Sequence, residues 1–256
     1  MNKIVIFGSA GYLGKFYINQ LLDKQIFNFS AIVEKISLKD LDVKKCIDRN
    51  FESVLYFSTK LQSNKNDKDF YDVNVNIPIK LSEISKHFVY LSSDYALAED
   101  IENEYSKSKK EAEQLLKQKN NTCILRTSSI YGYKSKKRKS FFSLLQDFYE
   151  DDSRKVLKVY KDSYIKPTFI DDLCNCIDFI VDKKLVGCYN GVGREYISRY
   201  DFAKKYLYEI AKEIITIEND KNDTQNFIEI ECSGILKQFF LTGIDDGIKR
   251  HKERVL

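Results

Sequence analysis

The sequence of 256 residues contains no tryptophan, one methionine, two prolines and two histidines. No apolar run approaches the roughly 20 residues of a membrane-spanning helix, so none is expected. Neither sign of charge dominates. Lys and Arg number 42 against 38 Asp and Glu, a net charge of +4. Such a balance gives no reason to expect nucleic acid or a membrane as partner. Six cysteines stand at 46, 123, 174, 176, 188 and 232, but no CxxC pair occurs, and His87 and His251 are far from any cysteine cluster. A metal site is therefore not expected. The cysteines sit mostly in apolar runs and read as reduced, small core residues. There is no internal repeat and no Pro- or Ser-rich linker. The missing tryptophan, beside abundant Tyr, Lys, Asn and Ile, reads as base composition and not as function. The opening MNKIVIFGSAGYLG does not read as a signal peptide, because its apolar run is short and leads into glycines. The expected setting is soluble, reducing and cytoplasmic.

What is present is 43% hydrophobic residues, enough to build a core. KIVIF (3–7) reads as a buried strand, followed by glycines and an amphipathic helix, KFYINQLLDK. FSAIV ends a second strand at Glu34. A helix is expected around 40–49, then SVLYF as a third strand. A helix over 70–86, the strand HFVYLS, a helix over 104–119 and the strand TCILRTSSI follow. Strands alternating with helices at this spacing predict an α/β fold, a Rossmann-type doubly wound parallel sheet. Beyond residue 132 the pattern loosens. FFSLLQDFYED reads as a helix, KVLKVYKDSY as a strand pair, PTFIDDLCNCIDFIVDK as a helix, GCYNGV as a strand and RYDFAKKYLYEIAKEI as a helix. The expected division is a Rossmann domain over 1–132, with 166–187 returning to it. Residues 133–165 and 188–256 form a small C-terminal substrate lobe.

The loop GSAGYLG lies between the first strand and the first helix. Its glycines allow a tight turn and close approach of backbone to a pyrophosphate, and the helix start offers free N–H groups. Gly8, Ser9, Gly11, Tyr12, Leu13 and Gly14 are thus candidates for cofactor binding. Glu34 stands twenty residues after Gly14, where a carboxylate accepts hydrogen bonds from the adenosine ribose. That points to NAD, while Lys35 beside it keeps NADP open.

In EYSKSKKEAEQLL (104–116), Tyr105 and Lys109 are four residues apart and share one helical face. A free phenol has a pKa of about 10, and a neighbouring ammonium favours its phenolate. A hydroxyl from the end of the preceding strand, Ser93 in VYLSSDYAL, can hold a substrate carbonyl. Tyr105 then gives a proton to the carbonyl oxygen while a nicotinamide gives hydride to its carbon. Ser93, Tyr105 and Lys109 are the candidate catalytic set. Ser92, Asp94 and Tyr95 around them are candidates for the substrate. The basic run KSKKRKS reads either as a solvated loop or as a diphosphate clamp through Lys136 and Arg138.

The spacing G-x-x-G-x-x-G resembles the extended short-chain dehydrogenase/reductase superfamily. YLSSDYAL, Y-x-x-x-K followed by EAE, ILRTSSIYG, DVNVNIP, LDV, KPTFIDDL and GCYNGVGREYISRYDFAKKYL resemble segments of its dTDP-4-dehydrorhamnose reductase branch, over about residues 3–210. The resemblance implies a nucleotide-sugar substrate and Ser93, Tyr105 and Lys109 as catalytic. It puts Asp42 near adenine, Thr127 and Ser128 beside the nicotinamide, and Arg126 in a strand-pinning role. Ser58, in the FSTK loop where alanines are usual, joins the cofactor set. The chain departs from the branch in having only twelve residues from Ser93 to Tyr105 and no Arg-Pro segment near its end. Ser93-Asp94-Tyr95 lacks the Glu of the sugar dehydratases. Keto-sugar-nucleotide reduction leads; NAD-dependent epimerisation and non-catalytic dinucleotide binding are the alternatives. A homodimer is left open.

Overall fold

The apolar runs become strands buried on both faces, as a parallel sheet covered by helices requires. The computed structural model describes residues 2–23, 29–32, 51–61, 68–98, 103–134, 140–160, 162–210, 212–217 and 228–255. Glu34, Asp42, Lys136, Arg138, Cys46 and the helix expected at 40–49 lie outside the described residues. In chain order the first part runs β1 (Asn2–Phe7), α1 (Tyr12–Asp23), β2 (Phe29–Ile32), β3 (Ser53–Tyr56) and α2 (Lys68–Tyr71). A π turn (Asp72–Asn76), α3 (Ile77–Glu83), β4 (Phe88–Ser93), a 3-10 turn (Asp94–Leu97), α4 (Glu104–Leu116) and β5 (Thr122–Thr127) follow. Then come α5 (Phe141–Glu150), β6 (Val156–Tyr160), α6 (Ile170–Asp182), β7 (Gly187–Asn190), α7 (Arg199–Tyr206), β8 (Glu213–Ile217) and α8 (Ile244–Val255).

The chain forms two units. The first comprises Met1–Thr127 with Cys174–Gly191, the second Ser128–Leu173 with Val192–Leu256. In the first, six strands lie in the order β7-β5-β4-β3-β1-β2, with every neighbouring pair parallel. The chain leaves β1 for β2 on one side and returns to β3 on the other. The switch point therefore falls between β1 and β3, the place where open α/β sheets bind ligands at their carboxyl ends. Val5, Phe7, Val54, Tyr56, Phe88, Tyr90 and Ile124 of these strands pack with Leu81, Ala112 and Leu116 of the helices.

The helix expected over 70–86 is interrupted by the π turn, and Pro78 supplies the reason. An α-helix would carry the N–H of residue 78 to the carbonyl of Asn74, but proline has no N–H. Ile77 N–H reaches back to Asp72 O instead, which also leaves the carbonyl of Val73 without its α-helical donor. Two tyrosines from the sheet take the freed carbonyls: Tyr56 OH donates to Val73 O at 2.7 Å and Tyr90 OH to Asn74 O at 3.1 Å. Their rings stack with centroids 6.2 Å apart.

The second unit is built on an aromatic cluster of Tyr131, Phe142, Phe148, Phe169, Phe202 and Tyr206, with Leu145, Leu157 and Ile248. Two expectations are corrected here. KVLKVYKDSY holds two strands that do not pair with each other: β6 pairs in parallel with β8, and Tyr164–Ile165 pairs antiparallel with Ile197–Ser198. RYDFAKKYLYEIAKEI is helical only through Tyr206, and its end turns into β8. Ile214 and Ile215 are β-branched and pair in register with Leu157 and Lys158, a context that outweighs the helical spacing of the sequence. Of the described cysteines, 123, 174 and 176 are buried, Cys232 is half-buried and Cys188 is exposed. No helix among the described residues is long and apolar enough to cross a membrane.

Candidate functional site

At the carboxyl end of β1 the chain turns at Gly8, whose φ of +87° suits glycine. A Cβ there would meet Ser58 N at 2.7 Å, on the chain leaving β3. A Cβ on Gly14 would lie 2.2 Å from Gly8 O, so α1 can start against the turn only because Gly14 lacks a side chain. Gly11 N–H closes the turn on Gly8 O at 2.9 Å. Leu13 turns into the core, while Ser9, Tyr12 and Ser58 are half-buried beside the turn. The first N–H groups of α1 have no partner within their helix. This cradle of backbone donors at a dipole's positive end is suited to a pyrophosphate.

The carboxyl end of β4 carries Ser93. It is extended there and caps the 3-10 turn that follows. Its hydroxyl donates to Asp94 Oδ1 at 2.7 Å, and the same carboxylate oxygen accepts Tyr95 N–H at 3.0 Å. Helix α4 starts at the side-chain cap of Asn103, which accepts Ser106 N–H at 2.7 Å. That start brings Tyr105 to the strand end, with its phenol near the hydroxyls of Ser93 and Thr59, which favour its ionised form. The Tyr95 ring meets the Tyr105 ring edge-on at 5.7 Å.

One turn on, Lys109 is only 1% exposed. Its ammonium donates to Tyr90 OH at 3.1 Å and Leu91 O at 3.0 Å. It lies 4.5 Å from the Tyr90 ring centroid and 5.9 Å from that of Tyr105. Burial pushes the Lys109 pKa down to about 7, against an opposing pull from Glu113. Burial likewise pushes Tyr105 up to about 12, outweighing the contacts with Ser93 and Thr59 that favour the phenolate. The sequence reading expected the ammonium to draw the phenol down. In the structure desolvation wins, and the two hydroxyls are what oppose it.

Asn74, fully buried in the π turn, joins these parts. Its side-chain carbonyl accepts from Thr59 Oγ1 at 3.3 Å and Lys60 N at 2.9 Å. Its amide donates to Lys60 O at 3.0 Å and Ser108 Oγ at 3.1 Å. Since Tyr90 donates to its backbone carbonyl and receives Lys109, Asn74 ties the Thr59 loop, helix α4 and the Lys109 ammonium to one turn. Sequence reasoning missed Asn74, Thr59 and Tyr90. The unusual FSTK loop was the signal for Thr59, and a proline four residues past an asparagine was the signal for the π turn.

Successive strand residues point to opposite faces. In the β4–β5 register, Ser93 lies beside Thr127 and Ser92 beside Arg126. Ser92 is accordingly separated from Ser93. Its buried hydroxyl donates to Glu113 Oε1 at 2.6 Å and is committed to the sheet–helix joint, not to the open strand end. Arg126 grips the same carboxylate, with Nε at 2.9 and 3.1 Å and Nη2 at 2.5 Å. Thr127 is buried at the end of β5, and its hydroxyl has no hydrogen-bond partner among the described residues. Ser128, also buried, opens the second unit.

In its fold the chain is similar to a dTDP-4-dehydrorhamnose reductase from Bacillus anthracis in complex with NADP, with a TM-score of 0.78, 19% identity and 99% of each chain covered. A dTDP-4-dehydrorhamnose reductase ortholog from Clostridium acetobutylicum gives 0.75 and 22%, covering 99% of this chain and 98% of that one. A dTDP-glucose 4,6-dehydratase from Bacillus anthracis in complex with NAD gives 0.74 and 16%, covering 100% and 98%. A comparison with curated protein sequences finds no match. The family model described as the RmlD substrate binding domain matches residues 1–225. With a glycine turn at the switch point and a family match over most of its length, this chain belongs to the RmlD substrate binding domain family.

Proposed function

We propose that the protein reduces the keto group of a keto-sugar nucleotide, at the sugar's 4-position, with NAD or NADP as cofactor. The observation that carries this reading is the placing of Ser93 at the end of β4 and of Tyr105 and Lys109 one turn apart on α4, with the ammonium 5.9 Å from the Tyr105 ring centroid. The similar reductase and dehydratase structures are complexes with NADP and NAD respectively, and the Gly8–Gly14 cradle fits a dinucleotide's pyrophosphate. The buried Thr127 hydroxyl, without a partner among the described residues, is a polar group suited to the ring end of the same molecule. When bound, the reduced cofactor supplies a hydride to the carbonyl carbon. The remaining work falls to the chain. Ser93 holds the carbonyl oxygen, Tyr105 donates its proton to that oxygen, and the Lys109 ammonium stabilises the phenolate left behind. The first unit is the cofactor domain in this reading, and the second supplies the substrate lobe.

The test is oxidation of NADH or NADPH, followed at 340 nm with a panel of 4-keto-sugar nucleotides. Turnover with at least one member is expected. Tyr105→Phe should lower it by about 10²-fold or more while leaving cofactor binding intact. Binding without turnover across the panel would sink the reductase reading and favour a non-catalytic binding module.

A further inference from the structure

The reading above gives Lys109 its work as an ammonium, yet its surroundings oppose the charge. Its two hydrogen-bond acceptors, Tyr90 OH and Leu91 O, are neutral. The titratable groups packed around it are Tyr90 from β4 and Tyr105 from its own helix, with Tyr56 stacked behind Tyr90. From the π turn comes the neutral Asn74, through Tyr90. The charge that acts on Lys109 from the described residues is Glu113, one turn further along α4 and itself 2% exposed. The pair straddles one point of β4: Lys109 takes Leu91 O, and Glu113 takes the hydroxyl of Ser92 next to it. Behind Glu113 stand Arg126 from β5 and, at 3.6 Å on the outer side, Lys117.

We propose that Glu113 is a positioning residue whose buried carboxylate, fixed by Arg126 and Ser92, holds Lys109 in its charged form beside Tyr105. A residue that merely pinned the helix to the sheet would share its effects with Arg126, since each is half of one salt bridge. An electrostatic role separates the two. Removing the carboxylate removes the attraction on Lys109. Removing the guanidinium removes a repulsion and leaves the carboxylate's field less compensated. The proposal rests on the reductase reading for its significance, but its test does not require turnover.

Lysine labelled with 13C at Cε reports each amine's titration by NMR, and Lys109 is assigned by the signal lost in Lys109→Met. Most lysines titrate near 10.4, well apart from a buried amine. In Glu113→Gln, which keeps acceptor atoms for Ser92 and Arg126, the Lys109 midpoint should fall by about one unit. In Arg126→Gln it should rise. Shifts in the same direction, or none in either variant, would overturn the proposal. If one variant does not fold, the sign of the shift in the other still decides. Absence of turnover with these opposite shifts intact would count against the reductase reading alone.

Discussion

Lys109 carries a cost that can be read from its folded environment. Its pKa in the folded chain lies near 7, below the ordinary value of 10.5. Between those values the unfolded chain binds the extra proton, so stability rises with pH from about 7 to 10.5, and the group is a burden at neutral pH. Lys109→Met should therefore raise the unfolding free energy measured in urea at pH 7, by up to about 4 kcal/mol less the cost of leaving Leu91 O unpaired. The slope of stability against pH above 7 should flatten in the variant. Turnover should be lost. An unfolding free energy unchanged at pH 7 would contradict the burial assigned to this amine. The glycine turn and the Y-x-x-x-K pair were legible in the sequence, because spacing alone fixes which side chains share a helix face. The phenol's upward shift was not, because desolvation depends on what the rest of the chain packs over it. Nor was the parting of Ser92 from Ser93: two adjacent hydroxyls look alike until a register gives each a face.

At the scale of elements, the π turn between α2 and α3 converts a missing N–H into a structural joint. Tyr56 and Tyr90 each cap one of its carbonyls, but only Tyr90 also receives Lys109. Tyr56→Phe and Tyr90→Phe should each lower stability by about 1–3 kcal/mol, since each leaves a buried carbonyl unpaired. They should differ in function: Tyr90→Phe also strips a partner from Lys109 and should lower kcat, while Tyr56→Phe should leave kcat near the wild-type value. Equal effects on kcat would detach the π turn from the chemistry. The strands of the first unit were readable from KIVIF, SVLYF and HFVYLS because a parallel sheet buries both faces and needs continuous apolar runs. The second unit resisted because its strands are short and find partners far along the chain. β6 and β8 stand in register across more than fifty residues, from Val156–Tyr160 to Glu213–Ile217, and no local period announces that.

For the whole molecule, the chain passes between the units more than once, and the sheet of the first is completed by a late segment. β7 returns from Gly187 to Asn190 to pair with β5 along its whole length, and Asn190 accepts from Arg126 at 3.4 Å. A fragment of residues 1–132 would therefore end with β5 as an open edge, lacking β7 and the part of α6 that belongs to its unit. An unpaired edge of buried residues invites association. Sedimentation of the fragment should show aggregates where the full chain does not, and a monodisperse, folded fragment would show β7 to be dispensable. The same return has a consequence during synthesis. The ribosome releases β7 roughly 60 residues after β5, some 3–12 s later at ordinary elongation rates of about 5–20 residues per second. For that interval the nascent chain carries a nearly finished sheet with one sticky border. A holdase that covers this border, or a faster pace through the intervening codons, should raise the yield of native protein more than any change made before residue 122.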